Sequence, residues 1–148
     1  MKLHKTKKGF TIVELVIVIG VIGILAGILI PTFVNVTQKA DDAALKSNLA
    51  NAYSSYVADA ADGVIDKDHV KAVTGQDYDE DKTYTIELVK QEEIVLVGNG
   101  KQYQFDEGAW KEKAFEITVG KNEIAKIDSA WVDATYGGFK VYTNKTRS

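Results

Sequence analysis

Apolar side chains are concentrated in the first quarter of the chain. Between Phe10 and Val36 the only residue with a formal charge is Glu14. As a helix this run would be about 40 Å long, whereas the hydrocarbon layer of a bilayer is about 30 Å thick. The pattern therefore predicts a helix that needs either lipid or identical neighbours around it.

After Pro31 the pattern changes to that of an amphipathic helix. Its apolar positions recur at helical spacing: Leu45, Leu49, Ala52, Tyr53, Tyr56, Val57 and Ala60. Gly63, which follows Asp62, is a typical helix stop. The two patterns predict one helix from Phe10 to about Asp62, too long for a domain of this size to enclose. A coiled-coil seam over residues 40–61 is the alternative, but the apolar positions do not keep a heptad for three repeats.

The remaining residues predict a small helix and several strands. Asp66–Val73 has the pattern of a short capped helix that closes near Gly75. Ile94–Val97 is a continuous apolar run that suits a central strand. Further strand faces are predicted from alternation at Tyr84, Ile86 and Leu88; at Tyr103 and Phe105; at Phe115, Ile117 and Val119; and at Phe139 and Val141.

Turn residues separate these predicted strands. Gly98-Asn99-Gly100 is a strong hairpin signal, and residues 120–122 and Gly137-Gly138 mark further turns. The fold class is therefore α+β, with a small antiparallel sheet packed on the outer half of the long helix.

Charge and cysteine content narrow the functional classes. The 148 residues include 18 basic and 21 acidic side chains, and four of the basic ones precede Gly9, so that the rest of the chain has a net charge of −7. A protein surface with this net negative charge is unsuited to binding nucleic acid over its whole extent. The chain has no cysteine, which excludes disulfides and thiol chemistry. Residues 132–148 must then be held by strand pairing.

Four lysines before an apolar run are typical of a targeting signal that leaves its basic end in the cytoplasm. A secretory signal is disfavoured because the run is too long and lacks a small-x-small pair between Gly20 and Pro31. A plain anchor, with everything after Val36 outside, leaves Glu14 unexplained. A carboxylate at the centre of a spanning helix costs about 2.5–3.5 kcal/mol.

The segment Lys8-Gly9-Phe10-Thr11-Ile12-Val13-Glu14-Leu15 closely resembles the processing motif of type IV prepilins. The resemblance implies that a prepilin peptidase cuts between Gly9 and Phe10 and N-methylates Phe10. Glu14 is a natural counter-charge for the new amine. The pairing could lie within one helical turn or, as the resemblance implies, with the amine of a neighbouring subunit.

Three further residues of the apolar run are candidates for a role in assembly. Gly23 and Gly27 have the small-xxx-small spacing that lets helices approach closely, although glycine is also common in spanning helices. Pro31 removes a backbone donor. The resemblance implies that the stretch from Gly23 to Pro31 can unwind in a filament.

The resemblance also implies an organisation and a function. The expected segments are a leader (residues 1–9), an apolar helix (10–36), its amphipathic continuation (37–62) and an exposed β-rich domain (63–148). The expected protein is a structural subunit inserted in the membrane and then polymerised into a surface filament. Its implied partners are other copies of itself, the peptidase, an assembly ATPase and a membrane platform, and its uses would be adhesion, surface motility or DNA uptake. The alternatives are a pseudopilin of a secretion or competence system and an anchored binding domain that never polymerises.

Other chemistry has little support in the sequence. His69 is the only histidine outside the leader and is flanked by acids, which favours a solvated side chain. Residues 77–81 begin like a calcium loop, but Lys82 and Leu88 occupy the positions that need glycine and glutamate. We therefore predict no enzyme, no cofactor and no metal.

A basic end formed by Lys140, Lys145 and Arg147 could contact anionic surfaces. Most of the aromatic residues are expected in the core.

Overall fold

The computed structural model describes residues 9–147, which form two compact units that meet in sequence at Ala43 and Ala44. The predicted leader, apart from Gly9, lies outside the described residues. Helix α1 spans Ile12–Ala61, 50 residues, and contributes to both units. The predicted helix stop at Gly63 is confirmed, because this glycine has φ +69° and donates its N–H to the carbonyl of Ala60.

The second unit adds a short helix, a 3₁₀ turn and eight strands to the end of α1. Helix α2 spans Val70–Thr74 and ends, as predicted, at Gly75, although it begins later than expected. The 3₁₀ turn spans Gln91–Glu93. The strands are β1 (Tyr84–Ile86), β2 (Ile94–Gly98), β3 (Lys101–Asp106), β4 (Ala109–Glu112), β5 (Ala125–Ile127), β6 (Ala130–Val132), β7 (Ala134–Tyr136) and β8 (Phe139–Thr143).

The strands form two antiparallel sheets, where the sequence predicted one. The first has the order β1-β5-β6 and the second the order β4-β3-β2-β8-β7. β2 is the central strand of the larger sheet, which confirms the prediction for Ile94–Val97. β8 pairs with both β2 and β7, so strand pairing holds residues 134–143 as predicted, whereas residues 144–147 lie beyond β8.

Two of the predicted hairpins have the turn geometry that their residues favour. β2 and β3 are joined by Asn99 and Gly100, with φ of 56° and 73°, the positive values of a type I′ turn. Gly137 and Gly138 connect β7 to β8 with φ of 55° and 84°. The turn at Glu107-Gly108, also at positive φ, was not predicted.

The end of α1 packs on its own domain rather than forming a coiled-coil seam. Its buried positions are Leu49, Ala52, Tyr56 and Ala60. The core that they join contains residues of both sheets. Most of the aromatic residues are in or against this core, as predicted, and Trp131 is half-buried.

Two strand predictions are wrong. Phe115, Ile117 and Val119 lie outside the strands, and Val119 is 88% exposed. The next residues form a turn, in which the side chain of Asn122 accepts the N–H of Thr118 at 2.6 Å. This local bond occupies the N–H of Thr118, which a strand would need for pairing with a neighbouring strand.

Leu88 is the second error, because β1 ends at Ile86 and Leu88 is exposed. The last bond to the neighbouring chain segment is from the N–H of Glu87 to the carbonyl of Ile124, so Leu88 lies beyond the ladder. Tyr84 and Ile86 are buried as predicted.

Candidate processing and assembly helix

The apolar half of α1 is uncovered within the described chain. Its large apolar side chains from Phe10 to Val36 are all exposed, Phe10 at 85%. By length and composition α1 is the one described helix able to cross a membrane. A run of this size exposed to water would be strongly unfavourable, so lipid or protein must surround it.

Thr11 and Glu14 form a reciprocal pair at the start of α1. The carboxylate of Glu14 accepts the backbone N–H and the hydroxyl of Thr11, both at 3.0 Å, while the hydroxyl oxygen of Thr11 accepts the N–H of Glu14 at 3.3 Å. This is a capping box, which satisfies N–H groups that the first turn of a helix leaves unpaired. The carboxylate is therefore bonded to Thr11, which is separated from the predicted cleavage site only by Phe10.

Thr11 is the residue of this site that was missed from the sequence. The signal was present, because Thr-Ile-Val-Glu matches the capping-box spacing. Phe10 and Thr11 immediately precede α1 and Glu14 lies in its first turn, whereas Gly23, Gly27 and Pro31 are further along the helix.

Nothing in the described residues prevents a larger side chain at the glycines of the apolar run. A Cβ added at Gly20, Gly23 or Gly27 would meet no atom of the described residues within 4 Å, apart from the helix's own nearby backbone. Close approach by a helix of another molecule would explain why these positions have no side chain.

Pro31 lies inside α1, which continues through it. Since proline lacks an N–H, the carbonyl four residues earlier, that of Gly27, has no donor from Pro31. The carbonyl of the next residue, Ile28, accepts the hydroxyl of Thr32 at 3.0 Å. The helix therefore lacks the backbone hydrogen bond that would join residues 27 and 31.

Two buried phenols attach the end of α1 to the sheets of the second unit. The hydroxyl of Tyr56 donates to the carbonyl of Glu87 at 2.6 Å and accepts the N–H of Val89 at 2.7 Å. Burial raises the pKa of Tyr56 to about 12. Tyr136 donates to a carboxylate oxygen of Asp59 at 2.9 Å, and burial together with that carboxylate raises the pKa of Tyr136.

The charged segments that were candidates for ligand binding are paired with side chains of the chain itself. In the acidic loop, Asp77, Asp79 and Glu80 have the respective partners Lys71, Lys82 and Lys67. Across residues 9–147 no three His, Asp or Glu side chains are grouped so that they could hold a metal ion. His69 is more than half exposed and lies 3.9 Å from Asp59.

The proposed basic end is also neutralised. Lys140 bonds to Asp133 at 2.7 Å, Lys145 lies 3.1 Å from Glu93, and Arg147 bonds to Glu87. Burial alone would raise the pKa of Asp133, but the hydrogen bonds from Lys140 and Tyr142 outweigh it and lower that pKa. The basic end is therefore not a free cationic surface.

An exposed apolar helix with a capped carboxylate at its start, followed by an antiparallel α+β domain, is the architecture of type IV pilin-like proteins. The family profile described as a prokaryotic N-terminal methylation motif matches residues 4–30. Two fimbrial proteins of Pseudomonas aeruginosa are each 30% identical over 127 residues, which cover 85% of this chain and 77% of theirs. The chain belongs to the type IV pilin family, whose members are structural subunits and not enzymes.

Two further relatives match only the first part of the chain. A type IV narrow pilus major component, PilA5, of Thermus thermophilus is 47% identical over 49 residues, 33% of this chain and 42% of that protein. A type IV major pilin protein, PilA, of Myxococcus xanthus is 37% identical over 54 residues, 36% of this chain and 24% of that protein. The chain thus spans less than half the length of these two relatives. No solved structure gives a significant match.

Proposed function

We propose that this chain is the structural subunit of a type IV pilus, assembled through the apolar half of α1. The observation that carries the proposal is the exposed apolar run of α1 with Glu14 held at its start. Lipid can solvate that run before assembly, and the helices of other copies can replace the lipid afterwards. The chain would be inserted with the residues before Gly9 in the cytoplasm and the second unit outside.

Processing would create a cationic partner for Glu14. Cleavage between Gly9 and Phe10 leaves a positive, N-methylated amine next to Thr11. Within its own chain Glu14 already accepts two bonds from Thr11, and each carboxylate oxygen has further acceptor capacity. Glu14 therefore pairs with the amine of a neighbouring subunit without losing its cap. Gly23 and Gly27 permit close helix contact, and Pro31 marks the place where α1 loosens in the filament.

The proposed partners follow from this role. A prepilin peptidase would cut and methylate the chain, and an assembly ATPase and a membrane platform would drive polymerisation. The resulting filament would serve adhesion, surface motility or DNA uptake.

Expression in cells that assemble type IV pili tests the proposal with two variants. Gly9→Ala is expected to keep the leader, so mass spectrometry should find the unprocessed N-terminus. Glu14→Gln keeps the size of the side chain but removes its charge. It should be inserted and cut normally, yet give few or no filaments in electron micrographs.

Asp42→Asn is the matched control, because Asp42 is an exposed acid on the same helix and its loss should leave filament number unchanged. A wild-type chain that keeps its leader, or abundant filaments from Glu14→Gln, would refute the proposal. Correct processing without long filaments would instead indicate a pseudopilin.

A further inference from the structure

The segment that follows β8, residues 144–147, ends in a set of contacts made by one side chain. We call this segment the β8 extension. The guanidinium group of Arg147 donates to the backbone carbonyl of Glu123 and to the carboxylate of Glu87. The same group lies 3.5 Å from the centroid of the Trp131 ring.

The three groups that receive Arg147 are brought together by the smaller sheet. Glu87 directly follows β1, Glu123 precedes β5, and Trp131 lies in β6. Arg147 instead follows β8, a strand of the larger sheet. Glu87 and Trp131 are therefore positioned by elements other than the one that carries the arginine, whereas Glu123 also bridges to Tyr142 of β8.

The chemistry of this arrangement suits a guanidinium ion better than an ammonium ion. A planar guanidinium can stack on an indole and direct N–H groups at a carboxylate and a carbonyl at the same time. A lysine ammonium is a compact, strongly hydrated charge that cannot stack in this way. Lys126 also lies near Trp131, with its Nζ atom 4.3 Å from the ring centroid, so two cations share one indole.

We propose that Trp131, Glu87 and the carbonyl of Glu123 form a binding site for an alkylguanidinium group, occupied here by Arg147 of the same chain. The occupied site fastens the β8 extension to the smaller sheet without a covalent bond. This inference concerns the second unit only and does not depend on pilus assembly.

The first residues of the β8 extension have anchors that do not involve Arg147. The N–H of Asn144 bonds to the carbonyl of Glu93 at 2.7 Å, and the side-chain amide of Asn122 donates to the carbonyl of Lys145 at 3.3 Å. Release of Arg147 is therefore expected to empty the site while β8 keeps its place in the larger sheet.

Fluorescence of Trp131 tests the proposal in the full chain held in detergent micelles. A Trp110→Phe background leaves Trp131 as the only tryptophan. In this background Arg147→Ala should shift the Trp131 emission to the red and increase its quenching by a neutral quencher. The far-UV circular dichroism should stay unchanged. Arg147→Lys should give a partial change, because it keeps the charge but cannot stack.

Chemical rescue identifies the ligand class. Methylguanidinium chloride, at concentrations well below those that denature proteins, should reverse the fluorescence change of Arg147→Ala. Methylammonium chloride at the same ionic strength is the matched control and should not reverse it. Adding Glu87→Gln should weaken the rescue, and the chain with Arg147 in place should respond little because its site is filled.

Three results would overturn the proposal: no fluorescence change in Arg147→Ala, no rescue by methylguanidinium, or equal rescue by both salts. If Arg147→Ala loses its circular dichroism signal, Arg147→Lys takes its place. Methylguanidinium should then reduce the quenching of Trp131 in that folded variant, and an absent response would be equally decisive.

Discussion

The phenol of Tyr136 donates a hydrogen bond of 2.9 Å to the carboxylate of Asp59, across a sequence separation of 77 residues. Asp59 belongs to the end of α1 and Tyr136 to β7, next to the Gly137-Gly138 turn. The bond joins the end of the helix to the last hairpin of the larger sheet. It is charge-assisted, and such bonds contribute more to stability than neutral ones.

Tyr136→Phe is expected to lower the free energy of unfolding by about 1.5–3 kcal/mol, because it removes a hydrogen bond to a largely buried carboxylate. Urea denaturation of the full chain in micelles measures this change. Tyr78→Phe is the control, since Tyr78 is 39% exposed, and it should change stability by no more than about 0.5 kcal/mol. Equal effects of the two substitutions would show that the bond to Asp59 contributes nothing specific.

The second unit should lose stability at alkaline pH. Burial raises the pKa of Tyr56, and burial together with a carboxylate raises the pKa of Tyr136 and of Tyr142. The folded chain therefore holds phenolic protons that the unfolded chain releases. Their stabilisation is complete below the unfolded tyrosine pKa of about 10. It is lost as the pH rises through the folded values, about 12 for Tyr56.

Urea titrations at a series of pH values above neutrality measure this effect. The combined variant Tyr136→Phe, Tyr142→Phe should be less stable near neutrality but should show a shallower alkaline decline. An unfolding free energy that does not fall above about pH 10 would contradict the assignment of raised pKa values.

Thr11→Val should weaken the start of α1, because valine keeps the shape of threonine but lacks the hydroxyl that accepts the N–H of Glu14 and donates to its carboxylate. Loss of an N-cap costs about 1 kcal/mol. Amide hydrogen exchange of Glu14, whose N–H bonds to the Thr11 hydroxyl, should accelerate several-fold in micelles. Thr11→Ser keeps the hydroxyl and should exchange like the wild type, and protection unaffected by valine would exclude a capping role.

Gly98→Ala should destabilise the larger sheet through a steric clash. A Cβ at Gly98 would lie 2.5 Å from the Cδ1 atom of the buried Phe139 ring. Overpacking of this kind costs about 1–3 kcal/mol. Adding Phe139→Leu should recover part of the loss that Gly98→Ala causes, and urea denaturation of the single and double variants checks this coupling. Strictly additive effects would mean that the two side chains do not clash.

The sequence predicted the features that depend on neighbours along the chain. The apolar run and the amphipathic period specified α1 to within two residues of its ends, because a helix bonds only within itself. Asn99-Gly100 specified the β2–β3 turn through a local preference for positive φ. The resemblance to prepilins identified the family for the same reason, since the motif from Lys8 to Leu15 is one continuous segment.

The tertiary structure decided the features that join distant residues. The division of the strands between two sheets depends on which strand edges meet in space. The contacts of Arg147 with Trp131 and Glu87, and of Tyr136 with Asp59, likewise connect segments far apart in the sequence. Periodicity reports which face of an element is apolar, but not which other element covers that face. For this protein, local pattern therefore determined the helix and the motif at its start, whereas long-range packing determined how the strands of the second unit are arranged.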